Sequence, residues 1–278
     1  MRPVRLTGDA VTAQELVLAY GDKVVLNRST FHIPYGKLTA VIGPNGSGKS
    51  TLLNSIAGLI DPVGGVLESP ADTRRVAYVM QSTKVSDSLP ISVREVVTMG
   101  RYAGTGPYRR LTSADREAVD TALDRVGMSE LADSHLNELS GGQRQRAFVA
   151  QGLAQDHDIL LLDEPLTGID VTTATAIDQV IHQEVEEGCA VVITTHDLTE
   201  AAIANHVILL SGRVVASGRP DDVLTADNLR AAYGAALLHV EEGRVFVDDA
   251  AHAPVEGHHV HRDRVIHTEA DPSDLHDS

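Results

Sequence analysis

The sequence predicts an α/β fold: a mostly parallel, buried β-sheet with helices between its strands and a ligand site at the strand C-terminal ends. Three observations carry this. Short apolar runs alternate with helical stretches along most of the chain. A glycine-rich loop, Gly43–Thr51, lies between a buried strand and a helix. A second apolar run, Ile159–Leu162, ends on the adjacent carboxylates Asp163 and Glu164.

The elements follow in order. Ala13–Tyr20 alternates and stops at Gly21-Asp22, a strand and a turn. Val24–Leu26 and Ser29–Ile33 read as short strands, and Leu38–Ile42 as a buried one bounded by glycines. Lys49–Leu59 reads as a helix and Val76–Met80 as a strand. Val93–Gly100 and Ser113–Val126 have helical patterns, the second opening at Ser113 with Asp115 and Glu117 in its first turn. Arg144–Ala154 is expected to be helical, Thr172–Val185 a helix, Ala190–Thr194 a buried strand and Leu198–Ala204 a helix. Val207–Leu210 and Arg213–Ala216 predict a hairpin around Ser211-Gly212. The composition changes near residue 249: from Asp249 to Ser278 there are six of the thirteen histidines, seven acids and no aromatic residue. Such a segment buries little apolar surface and is expected to be disordered.

Composition narrows the function. The formal charge is −16, Trp is absent and aromatics make up 3%. A net-acidic chain poor in stacking residues is a poor nucleic-acid binder. The single cysteine, Cys189, reads as a small core hydrophobe and fits a reducing compartment. No stretch approaches the roughly 18 apolar residues that span a bilayer, and Met1–Ala10 lacks the apolar core of a signal peptide. A role at a membrane would need a partner to hold the chain there.

The chemistry concentrates in two motifs. Gly43-Pro44-Asn45-Gly46-Ser47-Gly48-Lys49-Ser50-Thr51 fits G-x-x-x-x-G-K-[ST]. Its glycines let the backbone wrap around phosphates with N–H groups pointing inward, and the helix that follows presents its positive end to the same anions. Lys49 supplies a point charge for the β- and γ-phosphates, and the Ser50 hydroxyl is available to Mg²⁺. A dinucleotide loop would need G-x-G-x-x-G and no lysine, so it fits less well. Asp163 and Glu164 end a buried strand, which is costly unless something positive meets them. A Mg²⁺–nucleotide complex would do so: Asp163 would hold the metal, and Glu164 would polarise a water toward the γ-phosphate.

Leu139-Ser140-Gly141-Gly142-Gln143, followed by Arg144-Gln145-Arg146, resembles the signature of ABC-type ATPases. With the two motifs above, the resemblance covers roughly residues 11–235. It implies a P-loop NTPase domain with a RecA-like parallel-sheet core, an antiparallel β subdomain and a helical subdomain at about 85–155. Residues 236–248 would be a C-terminal strand extension and 249–278 a disordered tail. ATP and Mg²⁺ are the implied cofactors. The signature would close on the ATP of a second subunit, giving a head-to-tail homodimer with two sandwiched nucleotides. Residue by residue, Tyr20 matches the adenine-stacking aromatic. Gln81 matches the glutamine that touches Mg²⁺ and the attacking water. Asp170 matches the loop that couples the two sites, and His196 the histidine on the γ-phosphate. The family usually has alanine-leucine before that aspartate; here Gly168-Ile169 stand there.

The segment Ser92–Asp124 is more particular. Val93–Arg101, then Arg109-Arg110-Leu111 and Asp115-Arg116, resembles the manganese/zinc/iron chelate import group of these ATPases, as does Leu166–Asp170. The resemblance implies work at the cytoplasmic face of the cell membrane. Integral-membrane permease subunits and an extracytoplasmic metal-binding protein are the implied partners, with no nucleic acid. Uptake of siderophore or cobalamin-type chelates is the alternative, and a soluble non-transport ATPase is a further one. Against a repair-type ATPase, only 57 residues separate Gln81 from Leu139, with no sustained heptads. In the tail, His258, His259 and His261 offer nitrogen ligands for a transition metal, with no spacing of a closed structural zinc site.

Overall fold

Alternate residues of the central strands go to opposite cores, which is what a buried parallel sheet requires. The computed structural model describes residues 6–69, 71–81, 90–103 and 110–234, together with the strands Leu238–Glu241 and Arg244–Val247. Strands β1 (Asp9–Tyr20), β2 (Lys23–Pro34) and β4 (Gly64–Glu68) form an antiparallel sheet in the order β2-β1-β4. The main sheet contains β3 (Leu38–Ile42), β5 (Val76–Val79), β6 (Ile159–Asp163), β7 (Ala190–Thr195), β8 (His206–Leu210) and β9 (Val214–Gly218). Its order is β5-β6-β7-β3-β8-β9, and only β9 runs antiparallel to its neighbour. Strands β10 (Leu238–Glu241) and β11 (Arg244–Val247) make a separate antiparallel hairpin.

One core takes Ala40 and Ile42 of β3, Leu160 and Leu162 of β6, and Val191 and Ile193 of β7. It packs under α2 (Val93–Tyr102), α3 (Ser113–Arg125), α4 (Gly141–Ala154) and α5 (Val171–Glu186). The other core takes Val41, Leu161 and Val192, and it is closed by α1 (Lys49–Ile56) and the antiparallel sheet. The short helices α6 (Leu198–Ala202), α7 (Pro220–Val223) and α8 (Ala226–Tyr233) add Ala201, Val223, Leu229 and Tyr233 to the first core.

Helices α2, α3 and α4 each start with a capping box, which fixes where the chain turns into the helix. The cap residues are Ser92, Thr112 and Ser140, and each box is closed by Glu95, Asp115 or Gln143. The cap of α3 is therefore Thr112, one residue before the expected start. The box at Ser140 also starts α4 at Gly141, three residues earlier than the helical pattern suggests. Helix α1 stops at Ile56, short of Leu59, because Gly58 takes a left-handed conformation. The two short strands expected at 24–33 are one strand, β2, whose pairing with β1 carries register shifts.

Candidate functional site

The parallel strands deliver the candidate site residues to one rim. Gln81 follows β5, Asp163 and Glu164 end β6, His196 follows β7, and the Gly43 loop follows β3. These four strands are neighbours in that order. The rim is the C-terminal edge, where open α/β sheets hold their ligands.

The loop is built around close approach. Gly43 has φ 151, and a Cβ there would lie 2.1 Å from the Leu210 carbonyl oxygen, so only glycine fits. Lys49 is buried, and its Nζ donates to the carbonyls of Gly43 at 2.8 Å and Pro44 at 3.2 Å. Burial pulls its pKa below the usual lysine value, while Glu164 and Asp163 work in the opposite direction. The Ser47 hydroxyl is buried with no hydrogen-bond partner. A buried lysine resting on loop carbonyls, an orphaned hydroxyl and a glycine cradle fit a phosphate-bearing ligand. Ser50 is exposed at the start of α1.

Asp163 and Glu164, adjacent in the chain, share one threonine of the neighbouring strand. Asp163 pairs with Thr194 across the β6–β7 register. The Thr194 hydroxyl donates to Asp163 Oδ1 at 2.5 Å and accepts from the Glu164 backbone N–H at 2.8 Å. Glu164 sits at φ 49, a strained conformation for a non-glycine residue, which turns it off the strand. Its Oε2 accepts from Gln81 Nε2 at 2.6 Å. Burial, followed by the Asp163 carboxylate, pushes the Tyr78 phenol pKa up. Sequence reasoning missed Thr194 and Tyr78. The polar Thr194-Thr195 pair ending an apolar run was the available signal for the first; Tyr78 carried none.

The signature segment lies elsewhere in the chain. Ser140, Gly141, Gly142 and Gln143 open α4, and a Cβ on Gly142 would lie 2.7 Å from Thr173 Oγ1 and 2.8 Å from Asp170 Oδ2. Asp170 caps α5: it accepts from the Thr173 N–H at 2.9 Å and hydroxyl at 2.8 Å, which holds its carboxyl below the usual range. Among the described residues no hydrogen bond joins this segment to the Gly43 loop. Tyr20 is half exposed, and its hydroxyl accepts from Asn54 Nδ2 at 3.2 Å. His196 is exposed. The tail residues His258, His259 and His261 lie outside the described residues.

A second polar cluster sits at the opposite end of the sheet. Cys189 is buried as expected, but its thiol faces the Asp158 carbonyl at 3.2 Å beside His157 and Glu184. His157 Nδ1 meets the Gln155 carbonyl at 2.7 Å and Nε2 meets Glu184 Oε2 at 3.0 Å. With an acceptor at each ring nitrogen, the ring is an imidazolium. Burial opposes that charge, but hydrogen bonds to Cys189 and Glu184 outweigh it and raise the pKa to about 10. Arg125 Nη1 holds the other Glu184 oxygen at 2.6 Å. His157, Glu184 and Cys189 offer atoms within 4.8 Å of one another. A proton and a guanidinium already neutralise them, so the cluster is an ion-paired strut between α3, α5 and the start of β6.

A phosphate loop, acids on the next strand but one and a second glycine segment opening a helix define a nucleotide-hydrolysing domain. The chain belongs to the ABC transporter family, whose model matches residues 26–167, and it is an ATPase of that family. It is 39% identical over 220 residues to the manganese transport system ATP-binding protein MntA of Synechocystis, covering 76% of this chain and 85% of that one. It is 38% identical over 265 residues to the zinc transport system ATP-binding protein TroB of Treponema pallidum, covering 92% of this chain and 100% of that one. Its fold is similar to that of an ABC transporter in an inward-facing conformation, with a TM-score of 0.73, 27% identity, and coverage of 87% of this chain and 96% of that one. Among the described residues no helix is long and apolar enough to cross a membrane.

Proposed function

We propose that this ATPase powers import of a divalent metal ion (manganese, zinc or iron) through separate membrane-spanning subunits. The observation that carries the reading is that relatives aligned over most of the chain are named for manganese and zinc transport. The resemblance of Val93–Arg101 and Leu166–Asp170 to the metal-import group supports it.

In this reading Ser50, Gln81 and Asp163 would hold Mg²⁺, which would supply charge neutralisation on the nucleotide phosphates. Lys49 leaves the loop carbonyls for the phosphates, and the loop N–H groups and Ser47 bind beside it. Tyr20 stacks on the base. Glu164, fixed by Thr194 and Gln81, orients a water for in-line attack, with His196 on the transferred phosphate. Catalysis is by positioning and charge stabilisation. Ser140–Gln143 and Asp170 complete the site of a second copy, so two subunits close head to tail on two nucleotides and drive the permease between access states. An extracytoplasmic metal-binding protein delivers the ion, and the assembly sits at the cytoplasmic face of the membrane. The tail histidines His258, His259 and His261 bind the cargo metal weakly.

The test is reconstitution with the permease in liposomes. ATP-dependent uptake of radioactive Mn²⁺ or Zn²⁺ is expected, and none with Glu164→Gln. Stimulation of ATPase activity by a siderophore or cobalamin with no ion uptake would overturn the cargo assignment. For the tail, calorimetry with Zn²⁺ on the full chain and on a form ending at Ala250 decides: equal binding by both removes its role.

A further inference from the structure

The Gly43 loop has a back as well as a front. The hairpin turn between β8 and β9 lies behind it. The Gly212 N–H donates to the Ser47 carbonyl at 3.2 Å, and the Leu210 carbonyl is the oxygen that excludes a Cβ at Gly43. On its other side the same turn is tied to α8, where the Ser211 hydroxyl donates to the Ala232 carbonyl at 2.9 Å. Ala232 lies in the last turn of α8, where carbonyls lack intrahelical partners. Tyr233, the final residue of α8, is buried, and its hydroxyl has no hydrogen-bond partner. Burial raises its phenol pKa to about 12, and the backbone of Gly43 works in the opposite direction.

We propose that the end of α8 and the Ser211-Gly212 turn brace the phosphate loop from behind, making Ser211 and Tyr233 positioning residues for nucleotide binding. The loop works by aiming several N–H groups at one anion. A loop held before the ligand arrives loses less freedom on binding. Two of the buried hydroxyls without partners among the described residues, Ser47 Oγ and Tyr233 Oη, belong to the loop and to the helix end behind it. A small settling of the loop around phosphate would give both a partner, so their satisfaction is coupled to the ligand. Neither Ser211 nor Tyr233 touches the nucleotide in this scheme. They act through Ser47 and Gly43.

The proposal rests on nucleotide binding at this loop, and the experiment separates the two. The full chain is titrated with a fluorescent Mg-ATP analogue, and its melting temperature is read with and without Mg-ATP. If the wild type and Lys49→Ala bind alike, the reading of the loop itself fails. With the wild type binding and Lys49→Ala not, Ser211→Ala is expected to weaken binding about three- to tenfold, the range for one lost hydrogen bond. Ser211→Thr, which keeps the hydroxyl, is expected to restore it. Tyr233→Phe is expected to melt at or above the wild-type temperature without ligand, having lost an unpartnered hydroxyl, and to gain less from Mg-ATP. Wild-type affinity in Ser211→Ala and in Tyr233→Phe would overturn the brace. So would a fall in ligand-free melting temperature that accounts for the whole loss of binding and is not rescued by Ser211→Thr.

Discussion

Replacing His157 by Gln removes a buried charge that the surrounding fold creates. In the wild type the ring is held between the Gln155 carbonyl and Glu184, and its pKa rises from 6.5 to about 10. A folded-state pKa above the unfolded one means that the folded chain binds the proton more tightly. The stabilisation is therefore fully present below pH 6.5 and is lost as the pH rises through about 10. At about 1.4 kcal/mol per pH unit, the upper bound is about 5 kcal/mol in mild acid, falling to less than about 1 kcal/mol near pH 10. Gln keeps a hydrogen-bonding side chain but does not titrate. The assay is urea unfolding of both proteins between pH 6.5 and 9.5, followed by circular dichroism. The difference in unfolding free energy between wild type and His157→Gln is expected to shrink by about 3–4 kcal/mol across that interval. A difference that stays constant with pH would refute the imidazolium assignment, whatever the size of the offset.

Other expectations follow from the geometry. Arg125→Ala takes the guanidinium from Glu184, which is 1% exposed and also meets His157; a loss of about 3–5 kcal/mol in urea unfolding is expected, and a neutral result would mean the strut relaxes. Glu164→Gln should keep Mg-ATP affinity and lower turnover by at least about a hundredfold, read by phosphate release; near-normal release would remove Glu164 from its role. Gly142→Ala places a methyl against Asp170 and Thr173, so ATPase activity should fall about ten- to a hundredfold while the isolated subunit still binds Mg-ATP; unchanged turnover would show that the Asp170 loop moves freely.

The nucleotide loop and the carboxylate strand were legible because their chemistry depends on consecutive residues. Gly43–Thr51 and Ile159–Glu164 each carry their own context, an apolar strand before the reactive group. The parallel character of the sheet was legible from the same runs, but its strand order was not. Residues that act across the sheet were not. Thr194 lies far from Asp163 in the chain, and only the β6–β7 register makes them neighbours. His157, Glu184 and Arg125 sit on different elements, and nothing local marks them as partners. Strand β4 and helix α8 were missed for a different reason. The first is five residues with two glycines, and the second is eight residues long, too short for periodicity to stand out. Capping boxes moved helix starts because side-chain hydrogen bonds, not apolar periodicity, decide where a helix begins.

In the proposed mechanism, the pairing of Asp163 with Thr194 ties reaction chemistry to burial. Side chains along β6 alternate between the two cores, so sliding the strand by one residue would exchange every buried face and carry both acids away from their threonine. The sheet thus works as a ruler whose graduations are leucines. An interior substitution that only loosens Leu160 or Leu161 would surface first as a slower enzyme, while the protein still looked folded. Turnover is therefore expected to be a more sensitive gauge of core order in this molecule than melting temperature.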